Sequence, residues 1–258
     1  MNFLTKNEQR VSKEFLDKGY IISKVSNKQS LNFISQLIKD NVCKLLKLKK
    51  IDLNYVHNYV KAEDLNIFRI KIIAEINKNK YLRLHYFNIC KELLYSLSGN
   101  ELMMQKNINL SIQFPNDNSS LLPIHSDVWS GDSPYEINVW LPLVDCYKTK
   151  SMYILEQKNI IFFEKKIKNI KTKSSDEIYK LTKKKLKWLK VNYGEFLIFN
   201  QGLPHGNIVN NEKETRWSMN CRFKNIHSPY GDKKIGEFFL PITSRAMTEI
   251  GINFRYPF

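Results

Sequence analysis

Cysteine is scarce in this 258-residue chain, and none of its four cysteines lies in a CxxC pair. They are Cys43, Cys90, Cys146 and Cys221, and their wide separation differs from the dense cysteines of a disulfide-stapled secreted domain. This usage favours a reducing compartment. We therefore expect a cytoplasmic protein.

Long apolar stretches are also missing. Nowhere do about 18 apolar residues run together, as a membrane-spanning helix requires, and residues 1–8 lack the apolar segment of a signal peptide. Internal repeats and low-complexity linkers are absent as well. No membrane span is expected, and no boundary divides the chain into separate domains.

The overall amino-acid composition is typical of a globular protein. Hydrophobic residues make up 43% and aromatic residues 12% of the chain, far above the range of disordered segments. A chain of this length can form one sizeable core. We expect a single domain over 1–258, with a mostly helical flank at 1–100, a strand-rich core at 101–225 and a C-terminal segment at 226–258.

Basic residues outnumber acidic ones by 41 to 25, which gives a formal net charge of +16. Such a charge is compatible with a nucleic-acid or other anionic partner. However, the excess is nearly all lysine and comes with much asparagine and isoleucine, a bias that AT-rich coding produces without selection for binding. Solvated surface lysines are therefore favoured over an anionic partner or substrate.

The densest lysines lie at 165–173 and 183–185, inside the stretch 156–190. Apolar residues occur among them at mixed spacing, so we interpret this stretch as a partly helical, basic insertion that borders the functional site. A solvated, charged excursion is the favoured interpretation of its role.

Helical periodicity dominates the first hundred residues, where apolar residues recur every three to four positions. The segment 52–62 is ambiguous between a strand and a loop over a pocket. The predicted helices cover about 5–18, a segment that begins near 30, 63–77 and 80–97, and a strand is predicted at 20–25.

Beyond residue 100 the pattern changes to the two-residue period of strands. In the last of them Arg216, Ser218, Asn220 and Arg222 share one face, and apolar residues share the other. Such a polar face is wet on an ordinary antiparallel strand, whereas inside a small barrel it lines a polar cavity. The predicted strands are 107–114, 135–144, 194–200 and 215–223.

His125 and Asp127 are the strongest candidates for a functional site. Because residues i and i+2 of a strand point the same way, these two side chains can converge on one point. His205 is the best third member. Two imidazoles and one carboxylate form the facial triad of non-haem ferrous iron, which leaves three coordination positions open.

Taken alone the HxD pair is weak evidence, because a lone histidine is more often a satisfied core residue. Its placement strengthens it, since His125 and His205 both lie beside predicted turns at strand ends, where the mouth of a barrel is expected. His57, His85 and His227 receive no role.

Arg216 lies eleven residues after His205, and Ser218 follows on the same strand face. An antiparallel return strand can place both beside the metal. A guanidinium binds a carboxylate in bidentate fashion and keeps its charge, so it suits a dicarboxylate whose other end chelates iron. A surface ion pair is the alternative role for this arginine.

The sequence resembles the iron(II)- and 2-oxoglutarate-dependent dioxygenases. It is most similar to the phytanoyl-CoA dioxygenase-like branch, which has members in carbohydrate biosynthesis clusters. The resemblance covers roughly 110–225. It is carried by PIHSDVW at 123–129, INVWLPL at 137–143, GEFLIF at 194–199, HGN at 205–207 and RWS at 216–218.

The resemblance implies that His125, Asp127 and His205 bind Fe(II), and that Arg216 and Ser218 bind the distal carboxylate of 2-oxoglutarate. It also implies a mainly β fold with α, a double-stranded β-helix or jelly roll with the helical region packed outside. The implied reaction uses O2, releases succinate and CO2, and hydroxylates a substrate C–H bond.

Further pocket residues are predicted from strand position. Gln113 and Asn138 are interpreted as neighbours that hydrogen-bond 2-oxoglutarate or the substrate, with an ordinary satisfied polar role as the alternative. Substrate contacts are expected from Arg222, Trp129 and Asn220, and Trp140 is a second candidate pocket wall, although tryptophan more often packs in a core.

Three functions compete. The leading one is an oxygenase that acts on a small polar, anionic or carbohydrate-related metabolite. The second is a nucleic-acid dealkylase on the same fold, which the sequence does not favour because it has no aromatic-basic stripe for base stacking. The third is a jelly-roll binding protein without turnover. Nothing in the sequence indicates an oligomeric state.

Overall fold

The computed structural model of the chain describes residues 3–168 and 174–257. Part of the predicted lysine run, Lys171 and Lys173 included, lies outside the described residues. The helices are α1 (Lys6–Lys18), α2 (Lys28–Leu46), α3 (Leu65–Asn77), α4 (Leu82–Asn88), α5 (Lys91–Ser98), α6 (Ile160–Ile167), α7 (Ser175–Thr182) and α8 (Ala246–Asn253).

The helices of the first hundred residues begin and end where local chemistry requires. Thr5 and Glu8 form a capping box at the start of α1, and Gly19 ends it with a φ of 79°, a conformation that glycine adopts without penalty. Along α2, Ile34, Ile38 and Val42 are fully buried at helical spacing. This apolar stripe attaches the helical layer to the core.

The helix predicted at 80–97 is wrong as a single element, because the chain forms α4 and α5 with a break between them. Cys90 has a non-helical backbone, with φ −132° and ψ 7°. The Tyr86 hydroxyl of α4 donates to the carbonyls of Val139 (2.9 Å) and Met219 (3.2 Å), which fixes α4 on the sheet. Beyond the break α5 packs on α1.

The ambiguous segment 52–62 is neither a strand nor an irregular loop. It forms 3-10 turns at Leu53–Asn58 and Ala62–Asp64. Leu53 and Val56 of the first turn are buried, so this segment closes the core.

The strands fall into two sheets with antiparallel pairing throughout. The larger sheet has the order β1-β7-β4-β9-β2-β10, and β3 also pairs with β9; the smaller has the order β6-β5-β8. The strands are β1 (Tyr20–Lys24), β2 (Leu102–Gln105), β3 (Asn109–Gln113), β4 (Ile137–Pro142), β5 (Tyr153–Leu155), β6 (Leu186–Trp188), β7 (Glu195–Asn200), β8 (His205–Gly206), β9 (Arg216–Asn225) and β10 (Phe239–Pro241).

Strand β9 separates the core from the pocket, as its sequence predicts. On one face four side chains are completely buried: Trp217, Met219, Cys221 and Phe223. The opposite face, which carries Arg216, Ser218, Asn220 and Arg222, lines a cavity. The polar face therefore points into the molecule.

The basic stretch 156–190 contains α6, α7 and β6 and is more than a charged excursion. Phe163 of α6 and Ile178 of α7 are buried in an apolar cluster with Ile124, the residue before His125. Phe163 also stacks on Trp129, with ring centroids 5.9 Å apart. The described part of the insertion thus packs on the segment that carries His125 and Trp129.

No helix in the described part of the chain combines the length and apolar character needed to cross a membrane.

Candidate metal centre

Two distant segments are joined at the site by a pair of backbone hydrogen bonds. The amide of His125 donates to the carbonyl of His205 at 2.9 Å, and the amide of His205 donates back at 2.8 Å. Such reciprocal pairing brings opposite side chains close together. The two imidazole centroids lie 4.4 Å apart.

Asp127 joins the histidines because Ser126 is extended, with φ −125° and ψ 134°. Ser126 points away from the site, and its hydroxyl donates to the Gly202 carbonyl at 2.9 Å. Asp127 itself opens a 3-10 turn rather than continuing a strand, but the single extended residue preserves the predicted shared face. His125 Nε2 lies 3.6 Å from Asp127 Oδ1, and one ligand atom from each of His125, Asp127 and His205 lies within 4.8 Å of the others.

Both histidines present the same nitrogen to this point. Nδ1 of His125 lies 2.8 Å from the Pro123 carbonyl, and Nδ1 of His205 lies 2.8 Å from the Leu203 carbonyl. A carbonyl only accepts, so each Nδ1 is a protonated donor and each Nε2 is the nitrogen turned to the shared point. This is the arrangement that fixes histidine ligands in metal sites.

Burial and neighbouring charges hold His205 and Asp127 in the forms that bind a metal. Burial also lowers the pKa of His125, but its hydrogen bonds to Asp127 and Pro123 outweigh this and the pKa lies above its usual value, so a metal at its Nε2 displaces a proton. Burial, together with the nearby charge of His125, lowers the pKa of His205 to about 4, so this imidazole is neutral at pH 7. Burial raises the pKa of Asp127, but the hydrogen bond to His125 and the charges of His205 and Arg222 outweigh it, and the pKa lies below its usual value. Asp127 is therefore ionised.

A divalent cation fits this donor set. Asp127 Oδ2 is buried and has no hydrogen-bond partner among the described residues, and a buried carboxylate oxygen without a partner is costly. A cation held by the carboxylate and two neutral imidazoles removes that cost. Imidazole and carboxylate ligands suit iron and related transition metals.

The triad lies in a pocket of about 560 Å³, its open mouth included. The lining combines the triad and the polar face of β9 with other polar and apolar side chains: Ser111, Leu122, Asn138, Trp140, Met152, Phe199, Gly206 and Asn207.

Arg216 is a buried cation without a carboxylate partner in the described structure. It is 3% exposed, Nη2 donates to Ser111 Oγ at 2.9 Å, and Nη1 donates to the Ser151 carbonyl at 3.3 Å. Burial lowers its pKa to about 10, so it remains charged at pH 7. Its Nε and the neighbouring Ser218 Oγ are buried without partners among the residues described. These groups fit a ligand carboxylate.

Ser111 is a pocket residue that sequence reasoning missed, and Met152 is another. Ser111 lies opposite Ser218 in the β3–β9 ladder, so correct strand pairing is the signal that would have found it. Met152 follows a 3-10 turn at Lys148–Lys150, and its position in the lining has no counterpart in the local sequence pattern.

The predicted neighbour relation between Gln113 and Asn138 is wrong. Gln113 pairs with Arg216 and Asn138 with Arg222, six residues apart along β9, which is roughly 20 Å at the rise of a strand. Both strands pair with β9, but Gln113 and Asn138 lie near opposite ends of it. Gln113 donates to the Ile208 carbonyl at 2.7 Å and does not line the pocket, whereas Asn138 lines it and has an unpartnered Oδ1.

Some of the residues predicted to contact the substrate line the pocket, and Trp129 does not. Asn220 and Trp140 line the pocket, as does Arg222, which forms ion pairs with Asp127 and Asp132. Trp129 is 46% exposed and stacks on the insertion instead of lining the pocket. A substrate contact by Trp129 stays a prediction.

The unassigned histidines lie elsewhere. His57 contacts Thr215, and His85 contacts Ser30. His227 lies 3.7 Å from Glu101. None of the three shares the pocket with the triad.

Among solved structures the chain resembles non-haem enzymes over most of its length. The apo form of ThoJ, a non-heme monooxygenase, matches at 13% identity with a TM-score of 0.60, over 91% of this chain and 84% of that one. The alpha ketoglutarate-dependent carbocyclase SnoK from nogalamycin biosynthesis matches at 13% identity with a TM-score of 0.54, over 93% and 97%.

A third neighbour was determined with metal and co-substrate bound. The epimerase SnoN in complex with Fe3+, alpha ketoglutarate and nogalamycin RO matches at 12% identity with a TM-score of 0.51, over 87% of this chain and 86% of that one. No family model and no curated protein matches the sequence. The chain therefore has the fold of the non-haem, alpha ketoglutarate (2-oxoglutarate)-dependent enzymes, which confirms the predicted resemblance at the level of fold.

Proposed function

We propose that this protein is an Fe(II)- and 2-oxoglutarate-dependent oxygenase that hydroxylates a small polar metabolite. The observation that carries the proposal is the paired presentation of Nε2 by His125 and His205 beside the ionised Asp127. The fold shared with non-haem enzymes supports it. A carboxylate-binding end of the same pocket, at Arg216, supports the identity of the co-substrate.

His125, Asp127 and His205 would hold the ferrous ion, and three protein ligands leave positions open for 2-oxoglutarate and O2. Bound together, the ion and 2-oxoglutarate supply an oxidative decarboxylation that couples O2 reduction to attack on a substrate C–H bond, with release of succinate and CO2. The protein contributes ligand orientation, charge and shape.

Arg216 and Ser218 would bind the distal carboxylate of 2-oxoglutarate. The guanidinium keeps its charge, and its burial strengthens the interaction because water does not screen it. The Ser218 hydroxyl, which lacks a partner in the described structure, donates to the same carboxylate. Ser111 holds the guanidinium in place from β3.

The apolar wall of the pocket limits water at the reacting centre. Trp140 and Phe199 are buried on adjacent strands, and Met152 is buried on the connection after β4. Exclusion of water prevents side reactions and strengthens the electrostatic interactions inside the site. Asn138, with its free Oδ1, would orient a donor group of the co-substrate or substrate.

The architecture proposed for these sheets is a double-stranded β-helix within a single domain spanning 1–258. The bridge between His125 and His205 and the β5–β8 pairing form one side of the pocket, and β3, β9 and β4 form the other. Two sheets that face each other across a site are what a jelly roll provides.

The proposed substrate is a small metabolite of carbohydrate-related type. SnoK and SnoN are described as enzymes of nogalamycin biosynthesis, which supports a small molecule over a nucleic acid. The polar pocket residues Asn138, Asn207 and Asn220 offer hydrogen bonds suited to hydroxyl groups.

Anaerobic titration of Fe(II)-loaded protein with 2-oxoglutarate tests the proposal. The wild type is expected to develop the visible charge-transfer band of the chelate, and Arg216→Ala is expected to need far more co-substrate. Arg69→Ala is the matched control, because Arg69 lies on α3 and contacts Asn66 outside the pocket.

Equal titration curves for wild type and Arg216→Ala would contradict the assignment of Arg216. Absence of any band in the wild type would contradict the oxygenase itself. Succinate release in air, measured with candidate sugars, separates an oxygenase from a binding protein on the same fold.

A further inference from the structure

Arg222 connects the candidate ligand Asp127 to a second buried carboxylate. Nη2 of Arg222 lies 3.3 Å from Asp127 Oδ1, and Nη1 lies 3.0 Å from Asp132 Oδ2. The arginine side chain is 17% exposed, and those of the two aspartates are 10% and 2% exposed. The two ends of one guanidinium are thus occupied by two carboxylates.

Asp132 is held in turn by the segment that follows β9. Lys233 forms an ion pair with Asp132 Oδ1, and the Phe238 ring lies 5.8 Å from the Arg222 guanidinium carbon. The backbone is fixed as well, since the amide of Asp232 donates to the Gly131 carbonyl at 3.1 Å. Arg222 therefore has little freedom to turn towards the open pocket.

The two oxygens of the Asp127 carboxylate have different surroundings. Oδ1 faces Arg222 and His125, whereas Oδ2 is buried without a partner in the described structure. A carboxylate left to itself rotates and has no preferred oxygen. Here the planar guanidinium fixes the plane of the carboxylate.

We propose that Arg222 is a positioning residue for the metal, an inference that rests on the function proposed above. Arg222 holds the Asp127 carboxylate so that Oδ2 is left for the metal, and Asp132 and Lys233 hold Arg222. The substrate-binding role predicted for Arg222 from its strand face is replaced by this one, because its guanidinium is already engaged by two anions.

Charge and geometry predict opposite results when Arg222 changes. A cation next to a metal ligand repels the metal, so on charge alone the loss of Arg222 would tighten metal binding. If Arg222 positions the Asp127 carboxylate, its loss is instead expected to weaken metal binding. Arg222→Lys separates the two effects, because it keeps the charge and loses the planar fork that bridges Asp127 and Asp132.

The test measures Mn(II) affinity of the full chain without 2-oxoglutarate, from the electron paramagnetic resonance signal of free Mn(II). Arg222→Lys is expected to weaken binding by about 10–100-fold, the usual effect of removing an outer partner of a metal ligand. Asp132→Asn is expected to weaken it in the same direction. Arg69→Lys, on α3 outside the pocket, is the control and is expected to bind Mn(II) like the wild type.

The visible spectrum of the Co(II)-loaded protein adds a readout of ligand geometry. It is expected to change in Arg222→Lys and to stay the same in Arg69→Lys. Wild-type Mn(II) affinity and an unaltered Co(II) spectrum in Arg222→Lys would overturn the inference while leaving the proposed function intact. Failure of the wild type to bind Mn(II) would instead contradict the proposed function.

Thermal unfolding by circular dichroism shows whether Arg222→Lys folds. If it does not, Lys233→Met is tested in the same assay, because Lys233 is partly exposed and its loss disturbs Asp132 without emptying the core. Weaker Mn(II) binding by Lys233→Met supports the inference, and unchanged binding overturns it.

Discussion

At the scale of single residues, the backbone carbonyls of Pro123 and Leu203 determine the chemistry of the candidate site. Each accepts a hydrogen bond from a histidine Nδ1 and so turns Nε2 towards the shared point. The carbonyl lies two residues before its histidine in both cases. This repeated local geometry argues that the two imidazoles serve one shared ligand.

Ser218→Ala tests the proposed carboxylate-binding end of the pocket. The Ser218 hydroxyl is buried without a partner in the described structure, so it is available to donate to the co-substrate. A hydrogen bond to a charged group contributes about 1.5–3 kcal/mol, so the variant is expected to bind 2-oxoglutarate roughly 10–150-fold more weakly. Titration of the Fe(II)-loaded proteins measures this, with Ser96→Ala on α5 as the control. Equal affinities in wild type and Ser218→Ala would show that the hydroxyl does not contact 2-oxoglutarate.

Much of the site could be predicted residue by residue, because its signals are local. The HxD spacing and the alternation along β9 predict which side chains share a face, and the structure places those faces in one pocket. Ser111 and Asp132 could not be predicted in this way. Their roles depend on strand register and on the path of a loop, which no local pattern specifies.

At the scale of elements, the short strand β8 leaves no room for a side chain after the candidate ligand His205. A Cβ added to Gly206 would lie 2.7 Å from the Tyr153 hydroxyl and 2.8 Å from the Leu122 carbonyl. Both neighbours belong to segments that form the pocket. Close packing of Gly206 against the Tyr153 side chain and the backbone of Leu122 and Ile124 holds His205 opposite His125.

Gly206→Ala is therefore expected to destabilise the protein and loosen the metal site. Insertion of one methyl group into such a contact typically costs about 1–3 kcal/mol. Denaturant unfolding of the metal-free protein measures the loss. Gly251→Ala on α8, where an added Cβ meets nothing within 4 Å, is the control. An unchanged free energy of unfolding for Gly206→Ala would contradict the tight packing at β8.

Elements with strong periodicity were predictable, and the others depended on tertiary contacts. The predicted helix at 5–18 agrees with α1 because its caps are encoded locally. The helix predicted at 80–97 is interrupted at Cys90 because α4 is fixed on the sheet through Tyr86 and α5 packs on another helix. A sequence pattern shows the periodicity but not the surfaces on which it packs.

At the scale of the whole molecule, a buried polar network behind the triad affects the pH dependence of stability. Glu136 is 1% exposed and accepts a hydrogen bond from Gln201 at 2.8 Å. Burial raises the pKa of Glu136 above its usual value, although the Gln201 hydrogen bond opposes this. The folded protein therefore holds a proton that the unfolded chain has already released.

A carboxyl group whose pKa is raised in the folded protein lowers the free energy of unfolding as pH rises. Below about pH 4.5, the unperturbed value for glutamate, Glu136 is protonated in both states. Between that pH and its raised folded pKa, stability falls as pH increases, because the unfolded chain binds fewer protons there.

Glu136→Gln removes this dependence. The free energy of unfolding of the variant, measured by urea titration at several pH values, is expected to rise relative to wild type from about pH 4.5 upward. A constant difference between the two proteins across this range would contradict a raised pKa for Glu136.

The central claim for the whole molecule is that His125, Asp127 and His205 bind one divalent metal. Anomalous X-ray diffraction at the iron absorption edge, on crystals grown anaerobically with Fe(II) and 2-oxoglutarate, tests it most directly. The predicted result is one strong peak about 2.0–2.2 Å from both Nε2 atoms and from an Asp127 oxygen, the usual range for nitrogen and oxygen ligands. A peak at another site, or none while Fe(II) is in excess, would contradict the account.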